Sequence, residues 1–227
     1  MNETTVGALF IVSTPIGNLE DITLRALRVL KEADIVAAED TRRTLNLLRH
    51  FEISSELVSC HAFNEHRKVT EIIGKIKGGK NVAFVSDAGT PGISDPGYLM
   101  VREAIKEGIE PIVIPGPSAL TFAACASGFP IDSFTFLGFP PVKKGRREQF
   151  MKKIAERGET VIIYESPYRM AKLLTEIAES SGGDTIVAVI REATKLHEEI
   201  LRGPVSEIIE KMSGRVWKGE CAVVISR

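Results

Sequence analysis

The chain has 227 residues, which is more than one average domain and less than two. Its residues are 44% hydrophobic and 26% charged, a composition typical of a globular protein with enough apolar material for one core or two small ones. The 29 Lys and Arg residues nearly balance the 30 Asp and Glu residues, so the net charge of −1 excludes a globally basic nucleic-acid coat protein but allows a local basic patch.

The cysteines and the first apolar run indicate the compartment. Cys60, Cys125 and Cys221 are odd in number and far apart, so they fit neither a disulfide framework nor a zinc site, and they favour a reducing cytoplasm. The first apolar run covers residues 8–12, which is too short for a signal peptide or a membrane span. We therefore expect a cytoplasmic protein without a membrane segment.

The first half of the chain alternates between short apolar runs and helical patterns. Continuous apolar runs predict strands that are buried on both faces. These runs are residues 8–12, 35–38, 82–85 and 112–114. Apolar residues recur at helical spacing between the runs, and Asp40 and Thr41 are candidate caps for the second helix. The alternation predicts a mostly parallel sheet with helices on both faces.

The segment 128–133 (GFPIDS) interrupts this alternation and is the predicted domain boundary. It divides the chain into an N-terminal α/β domain at 1–127 and a C-terminal α/β domain at 128–227. Further strands are predicted at residues 134–137, 160–164, 185–190 and 221–225, with helices between them and a hairpin at 197–202. The second domain therefore has a mixed sheet. Because ligands often bind between domains, we expect a ligand cleft between the two.

The most informative loop is residues 86–97 (SDAGTPGISDPG), which follows a buried strand and precedes a helix. Ligands of open α/β sheets bind at the carboxyl ends of strands. Glycines let a ligand approach bare backbone, and prolines restrict the shape of the loop. A structural crossover is the alternative, but such connections usually take only about 2–6 residues. The longer, stiffer loop found here favours ligand binding.

Two further loops, residues 13–19 (STPIGNL) and 115–119 (PGPSA), also follow predicted strands. Neither contains a dinucleotide fingerprint or a P-loop, and each alone could be a turn with a helix cap. Together they offer small residues and backbone N–H groups along one edge of a sheet. That combination favours a small ligand with many polar edges over a polyphosphate.

Two charged segments are candidate functional sites. Residues 38–44 (AEDTRRT) place acids and arginines just past a strand, where an acid could accept a proton, although such charges also solvate a helix start. Residues 143–147 (KKGRR), followed by Lys152 and Lys153, form a basic run that could bind nucleic-acid phosphates, although such runs are more often solvated surface.

The remaining ionisable segments, residues 164–169 and 191–199, also lie at strand ends. They contain no Ser/His/Asp order and no H-E-x-x-H spacing. His61 and His66 have no sequence partners that form a metal set. Hydrolase and metalloenzyme hypotheses are therefore weak.

These segments together resemble the tetrapyrrole methylase family, the class III S-adenosylmethionine-dependent methyltransferases. The resemblance runs nearly from end to end, through STPIGNLEDITLRAL, AAEDTRRT, SDAGTPGISDPG, VIPGPSA, YESPYR, REATKLHEE and KGECAVVI. It implies two α/β domains of the tetrapyrrole methylase type with the ligand cleft between them, S-adenosylmethionine as methyl donor without a metal, and a homodimer. Tyr168 stands where the similar motif YESPHR has histidine, so we assign no role to its ring.

Within that family, the chain is similar to members that 2′-O-methylate a cytidine of small-subunit (16S) ribosomal RNA. The resemblance assigns donor binding to residues on five segments, with Thr90 standing where many tetrapyrrole enzymes have aspartate. These residues are Pro15, Ala88, Gly89, Thr90, Ile93, Ser118, Ala119, Glu165 and Ala193.

Methyl transfer to a ribose hydroxyl requires removal of its proton, so a carboxylate or a lysine is expected at the site. The first candidate base is Asp40, followed by Glu39 or Lys195, because of their positions at strand ends. The predicted contacts to rRNA phosphates are Arg42, Arg43, Lys143 and Arg146.

Two alternatives remain open. The same fold could methylate a tetrapyrrole on carbon, because fold does not determine substrate. A non-catalytic RNA-binding factor in ribosome assembly would use the same basic segments but would not need the Gly/Pro loops. The basic segments favour RNA over a tetrapyrrole, and the loops favour an enzyme.

Overall fold

The computed structural model describes residues 6–61 and 65–226, without the side chain of Glu65. By its internal packing the chain divides into two compact units, unit 1 (Met1–Ser118) and unit 2 (Ala119–Arg227). Among the described residues, no helix combines the length and apolar character that a membrane span needs.

Unit 1 is built on a parallel sheet with strand order β3-β2-β4-β1-β5. The strands are β1 (Leu9–Val12), β2 (Ile35–Ala38), β3 (Glu56–Ser59), β4 (Val82–Val85) and β5 (Ile112–Ile114). The helices are α1 (Leu24–Glu32), α2 (Thr41–His50), α3 (Glu65–Lys77) and α4 (Tyr98–Lys106), with a 3-10 turn at Leu19–Asp21.

Alternate residues of the central strands enter different cores. Val82 and Phe84 of β4 pack in a core with residues of α3 and α4. Ala83 and Val85 pack in a second core with residues of α1 and α2. Because both faces of the sheet are covered, the central strands are continuously apolar, and the predicted parallel sheet with helices on both faces is confirmed.

Unit 2 contains a mixed sheet with strand order β6-β7-β10-β8-β9. The strands are β6 (Phe134–Phe136), β7 (Thr160–Glu165), β8 (Ile186–Arg191), β9 (Glu199–Pro204) and β10 (Cys221–Ile225). The helices are α5 (Ala119–Ser127), α6 (Lys144–Ala155), α7 (Met170–Ser181) and α8 (Val205–Met212), with a 3-10 turn at Pro167–Arg169. β6 runs parallel to β7, whereas the other pairs are antiparallel.

The division between the units falls before α5, whereas the sequence predicts a boundary after residue 127. Ala123 and Ala124 of α5 are buried in one core with Ile162 of β7 and Val224 of β10. Their small side chains let the helix lie close to the sheet of unit 2. Helices α6, α7 and α8 contribute to the core on the other face of that sheet.

Candidate functional site

Three loops at the carboxyl edge of the unit 1 sheet are joined by hydrogen bonds. Thr14, after β1, and Gly89, after β4, exchange two backbone hydrogen bonds with N···O distances of 2.9 Å. The Thr90 hydroxyl donates to the carbonyl of Pro117 at 3.2 Å, and its oxygen lies 3.0 Å from Ser13 Oγ. Because parallel strands end at the same edge, loops that are distant in sequence form one surface.

Gly89 holds a position that a larger residue would strain. Its φ of +76° lies in the left-handed region, and a Cβ added there would lie 3.3 Å from Ile16 Cγ2. The residue is buried between the loops that follow β1 and β5. Glycine is therefore needed both for the turn and for the close approach of these loops.

Asp40 and Asp87 connect the ends of β2 and β4. Asp40 caps α2 by accepting a hydrogen bond from the Arg42 N–H at 2.8 Å, as the sequence predicts for a cap. Its own N–H donates to Asp87 Oδ1 at 2.9 Å, and Arg43 Nη1 lies 3.6 Å from Asp87 Oδ2. The first candidate base is therefore already engaged in holding the start of a helix.

Glu39, next to that cap, has the electrostatic environment of a base. Burial raises the pKa of the Glu39 carboxyl, and the negative charges of Asp87 and Asp95 raise it further. The Asp87 N–H and the Arg43 charge oppose this rise without cancelling it. A carboxylate with a raised pKa is a stronger proton acceptor, so Glu39 has a property that a general base needs.

A cavity of about 210 Å³, which we name the α2 cavity, lies among these elements. It is lined by Thr14, Pro15, Leu19, Arg43, Thr44, Asn46, Leu47, Ser86 and Asp87. The hydroxyl oxygen of Thr14 is buried and has no hydrogen-bond partner within the described residues. Buried polar atoms are nearly always paired, so this hydroxyl is unusual among the residues that line the cavity.

The predicted donor-binding residues occupy different environments. Pro15 lines the α2 cavity, whereas Ala88, Thr90 and Ile93 are half-buried in the loop after β4. Ser118 ends unit 1, and Ala119 begins α5. The structure thus brings the unit 1 members of the set to one sheet edge, as expected for loops after parallel strands. Ala193 lies in unit 2, packed against the core beneath α5.

Glu165 has a structural role that the sequence analysis did not foresee. The residue is 1% exposed, and Arg147 Nη1 and Nη2 donate to its Oε2 at 3.0 and 3.1 Å. Arg169 Nε and the Ser166 N–H donate to its Oε1, each at 2.8 Å. Both carboxylate oxygens are therefore held by the protein, and contact of Glu165 with the methyl donor stays a prediction from the resemblance.

Lys195 is also held by ion pairs. Its Nζ lies 2.9 Å from Glu192 Oε1 and 2.9 Å from Glu220 Oε2. Burial lowers the pKa of Lys195, but the hydrogen bonds to the two carboxylates outweigh it, and the net pKa is raised. A lysine that is held protonated cannot accept a proton near neutral pH, so the structure does not support Lys195 as the base.

The four residues predicted to bind phosphates are exposed, but Arg147, which lies in the same basic run, is buried. Arg42, Arg43, Lys143 and Arg146 all lie at the surface. Arg147, in the same basic run, is 3% exposed and also donates from Nε to Glu176 at 2.6 Å. The run therefore presents fewer charges to solvent than its sequence suggests.

Asp87, Asn46 and Thr14 are cavity residues that the sequence analysis did not select. Asp87 and Thr14 lie within loops that it did single out, so their position after a buried strand was the available signal. Asn46 carries no such signal, since only the packing of α2 brings it to the cavity.

A larger cavity of about 520 Å³ lies along α6 and α7 in unit 2. Among its charged lining residues, Arg147 and Glu176 are joined at 2.6 Å, whereas Lys144 and Lys172 have only longer contacts, of 4.0 and 3.9 Å, with Glu148 and Glu176. Across residues 6–61 and 65–226, no group of three or more His, Cys, Asp or Glu side chains could hold a metal ion.

Comparison with known proteins identifies the class. The family described as Tetrapyrrole (Corrin/Porphyrin) Methylases matches residues 8–209. The chain belongs to this family and is a methyltransferase.

Relatives that are similar over nearly the whole of this chain carry a more specific name. The Thermotoga maritima protein named ribosomal RNA small subunit methyltransferase I is 48% identical, over 97% of this chain and 99% of that protein. The Halalkalibacterium halodurans protein of the same name is 46% identical, over 96% of this chain and 75% of that protein.

Solved structures support the fold. Uroporphyrin-III-C-methyltransferase from Thermus thermophilus superposes with a TM-score of 0.68 at 20% identity, over 97% of this chain and 94% of that chain. The methyltransferase CobJ superposes with a TM-score of 0.72 at 18% identity, over 97% and 94% of the two chains. At these identities the likeness establishes the architecture alone.

Proposed function

We propose that this protein transfers a methyl group from S-adenosylmethionine to the ribose 2′-hydroxyl of a cytidine in small-subunit (16S) ribosomal RNA. The observation that carries the proposal is the similarity, over almost the whole chain, to proteins named ribosomal RNA small subunit methyltransferase I. The joined loops and the acidic residues at the sheet edge of unit 1 supply suitable chemistry.

The residues of unit 1 fit a part of the methyl donor. The loop around Gly89 is joined to Thr14 by backbone hydrogen bonds and offers backbone groups to a small polar molecule. The α2 cavity is smaller than the roughly 300–1,000 Å³ of a pocket for a whole drug-sized ligand, so we do not place the donor in it. We assign donor binding to Pro15, Ala88, Gly89, Thr90, Ile93, Ser118, Ala119 and Ala193. S-adenosylmethionine supplies a methyl group already activated on a positively charged sulfur.

Glu39 is our proposed general base. Its carboxylate takes the proton from the 2′-hydroxyl as the new O–CH₃ bond forms, while the electrons of the broken S–CH₃ bond remain on sulfur. The raised pKa makes Glu39 a better acceptor than an ordinary carboxylate, and Asp40 holds α2 beside it. Orientation supplies much of the rate in such a displacement, so the rigid loops contribute as well.

Arg42, Arg43, Lys143 and Arg146 are proposed to hold rRNA phosphates. They are exposed, and among the described residues only Arg43 of the four has an ion pair, with Asp87 at 3.6 Å. Unpaired cations are free to replace the counterions of a phosphate backbone.

We also propose a homodimer in the cytoplasm, where ribosomal subunits are found. Support for a second copy comes from β5, the edge strand of unit 1, on which Ile112 and Val113 expose apolar side chains. Light scattering should give twice the chain mass; a monomeric mass at micromolar concentration would contradict the dimer.

The proposal is tested by transfer of labelled methyl from S-adenosylmethionine. The acceptors are small ribosomal subunits from cells that lack the protein, free rRNA, and uroporphyrinogen, assayed side by side. We expect label in the small subunit that maps to a cytidine ribose. Label in uroporphyrinogen alone would indicate a tetrapyrrole methylase, and donor binding without any transfer would contradict the proposed reaction.

A further inference from the structure

We propose that the α2 cavity holds the base of the target cytidine and that Asp87 selects cytosine over uracil. This inference rests on the proposed function and identifies the part of the substrate that the cavity would take. An enzyme that modifies one nucleotide of a folded RNA usually draws it out of the stack into a close-fitting pocket and reads the edge of its base there.

The walls of the cavity suit a flat heterocycle. Pro15, Leu19 and Leu47 contribute apolar surface, against which a base can pack. Four polar residues, Thr14, Asn46, Ser86 and Asp87, also line the cavity. The Ser86 hydroxyl already donates to the Ala88 carbonyl at 3.3 Å, so Asn46 and Asp87 are the residues that we expect to meet the edge of the base. The volume of about 210 Å³ favours a single pyrimidine over a larger ligand.

Asp87 has one oxygen that makes no hydrogen bond among the described residues and has only a long ion pair with Arg43. Oδ1 accepts the Asp40 N–H at 2.9 Å, which fixes the carboxylate in place. Oδ2 has Arg43 Nη1 at 3.6 Å, which is beyond a normal hydrogen bond. A carboxylate oxygen can accept from the N4 amino group of cytosine. Uracil has a carbonyl at that position, and two acceptors would face each other.

Thr14 provides an independent indication and links the cavity to the donor loop. Thr14 lines the cavity, and its buried hydroxyl has no hydrogen-bond partner among the described residues. Its backbone is hydrogen-bonded in both directions to Gly89 in the loop that we assign to the donor. Methyl transfer needs acceptor and donor sites to be neighbours, and Thr14 belongs to both.

The test measures binding rather than catalysis. Fluorescence anisotropy compares a labelled RNA heptamer with one central cytidine among uridines and the all-uridine heptamer. We expect the wild-type protein to bind the cytidine heptamer roughly five-fold or more tightly, the lower end of a specific base contact. In Asp87→Asn the Kd ratio should fall to one or below, because the amide oxygen takes the Asp40 N–H and its NH2 group can donate to uracil but cannot accept from cytosine.

Asp95→Asn is the matched control. It removes an equal charge that also acts on Glu39, but Asp95 does not line the cavity. The preference for cytidine should survive in this variant. Affinity for the all-uridine heptamer that is retained in Asp95→Asn, and retained or increased in Asp87→Asn, would show that both variants remain folded. The Thr14→Val protein should bind RNA about as tightly as wild type, but the ratio of its Kd values for the two heptamers should be smaller.

The inference is overturned if the wild-type protein binds both heptamers equally, or if Asp87→Asn keeps the full preference. It is also overturned if Asp95→Asn loses the preference as completely as Asp87→Asn. Because no methyl is transferred, failure of the proposed function gives a different result. An Asp87-dependent preference for cytidine in a protein that labels no rRNA would contradict the reaction and leave the base pocket intact.

Discussion

Two charged clusters in this protein contain the same kinds of residue and differ in how completely those residues are paired. In unit 2, Arg147 and Glu165 are almost fully buried, and each makes several charge-assisted hydrogen bonds. In unit 1, Arg43 is 62% exposed at the side chain, and its contact with Asp87 is a long 3.6 Å. The comparison teaches that buried, fully paired charges are committed to the fold, which loses stability when one partner is removed, whereas loosely paired charges remain available to a substrate.

The largest effect should follow from breaking the buried cluster. Arg147→Ala leaves Glu165 and Glu176 without their shared partner, and removal of one member of a buried ion pair costs about 3–5 kcal/mol. Urea unfolding measures this loss of stability. Arg146→Ala, one residue away and exposed, should stay within about 0.5 kcal/mol of wild type. Equal losses in both variants would contradict the structural role of the cluster.

The basic run shows what sequence can and cannot predict. Its composition suggests a continuous exposed patch, but Arg147 has helical spacing with Met151 and Ile154 and shares their buried face. That spacing was a usable signal. The partners Glu165 and Glu176 come from other elements, so no local pattern could have predicted the ion pairs.

The strands were more predictable where the sheet is covered on both faces. β4 reads as an apolar run because each of its residues enters one of two cores. β3 was missed because its four residues (ELVS) lie at a sheet edge and are not fully buried. The start of α2 was correctly predicted from Asp40, since capping is a local interaction. The α2 cavity joins three distant segments and could not be predicted in this way.

The next largest effect should be on the rate of methyl transfer. Glu39→Gln removes the proposed base, and such a group contributes roughly 100-fold or more to a rate. Its stability should be retained or slightly increased, because a charge whose pKa is raised by burial opposes folding when it is ionised. Single-turnover transfer of labelled methyl to small subunits measures the rate.

Asp40→Asn is the control for that variant, because asparagine caps a helix about as well as aspartate does. We expect it to keep a rate close to wild type. A larger loss in Asp40→Asn than in Glu39→Gln would restore Asp40 as the base.

A smaller effect, on the affinity for S-adenosylmethionine, should distinguish alanine at Gly89 in unit 1 from alanine at Gly128 in unit 2. Gly89 and Gly128 share a φ of +76°, so alanine at either should cost on the order of 1 kcal/mol in unfolding experiments. A Cβ at Gly89 would also press on Ile16, whereas a Cβ at Gly128 has nothing within 4 Å. Calorimetry should therefore find weaker S-adenosylmethionine binding in Gly89→Ala alone. Equal affinity in both variants would argue against the donor loop.

The exposed cations should have a graded effect on RNA affinity. Removal of one phosphate contact, as in Arg42→Ala or Lys143→Ala, should reduce the slope of log K against log salt by about one. Arg28→Ala is the control, since Arg28 is also exposed but pairs with Glu32 at 3.0 Å. Binding titrations at several salt concentrations measure the slope. A slope that changes as much for Arg28 as for Arg42 would remove the distinction between paired and unpaired cations.

The smallest effect should be a shift of the pH dependence of the methyl-transfer rate. Each variant changes only one charge near Glu39, so the pKa of Glu39 should move only slightly. Glu39 accepts a proton only when ionised, so the rate should rise with pH through its pKa, which lies above the ordinary value of 4.5. Asp95→Asn removes one of the charges that raise this pKa, so the rising limb should move to lower pH. Arg43→Gln removes a charge that lowers it, and the limb should move to higher pH. Single-turnover rates across the acidic range give both positions. If the limb moves in the same direction in both variants, or in neither, the group that titrates is not Glu39, and the loosely paired charges of unit 1 do not tune the base.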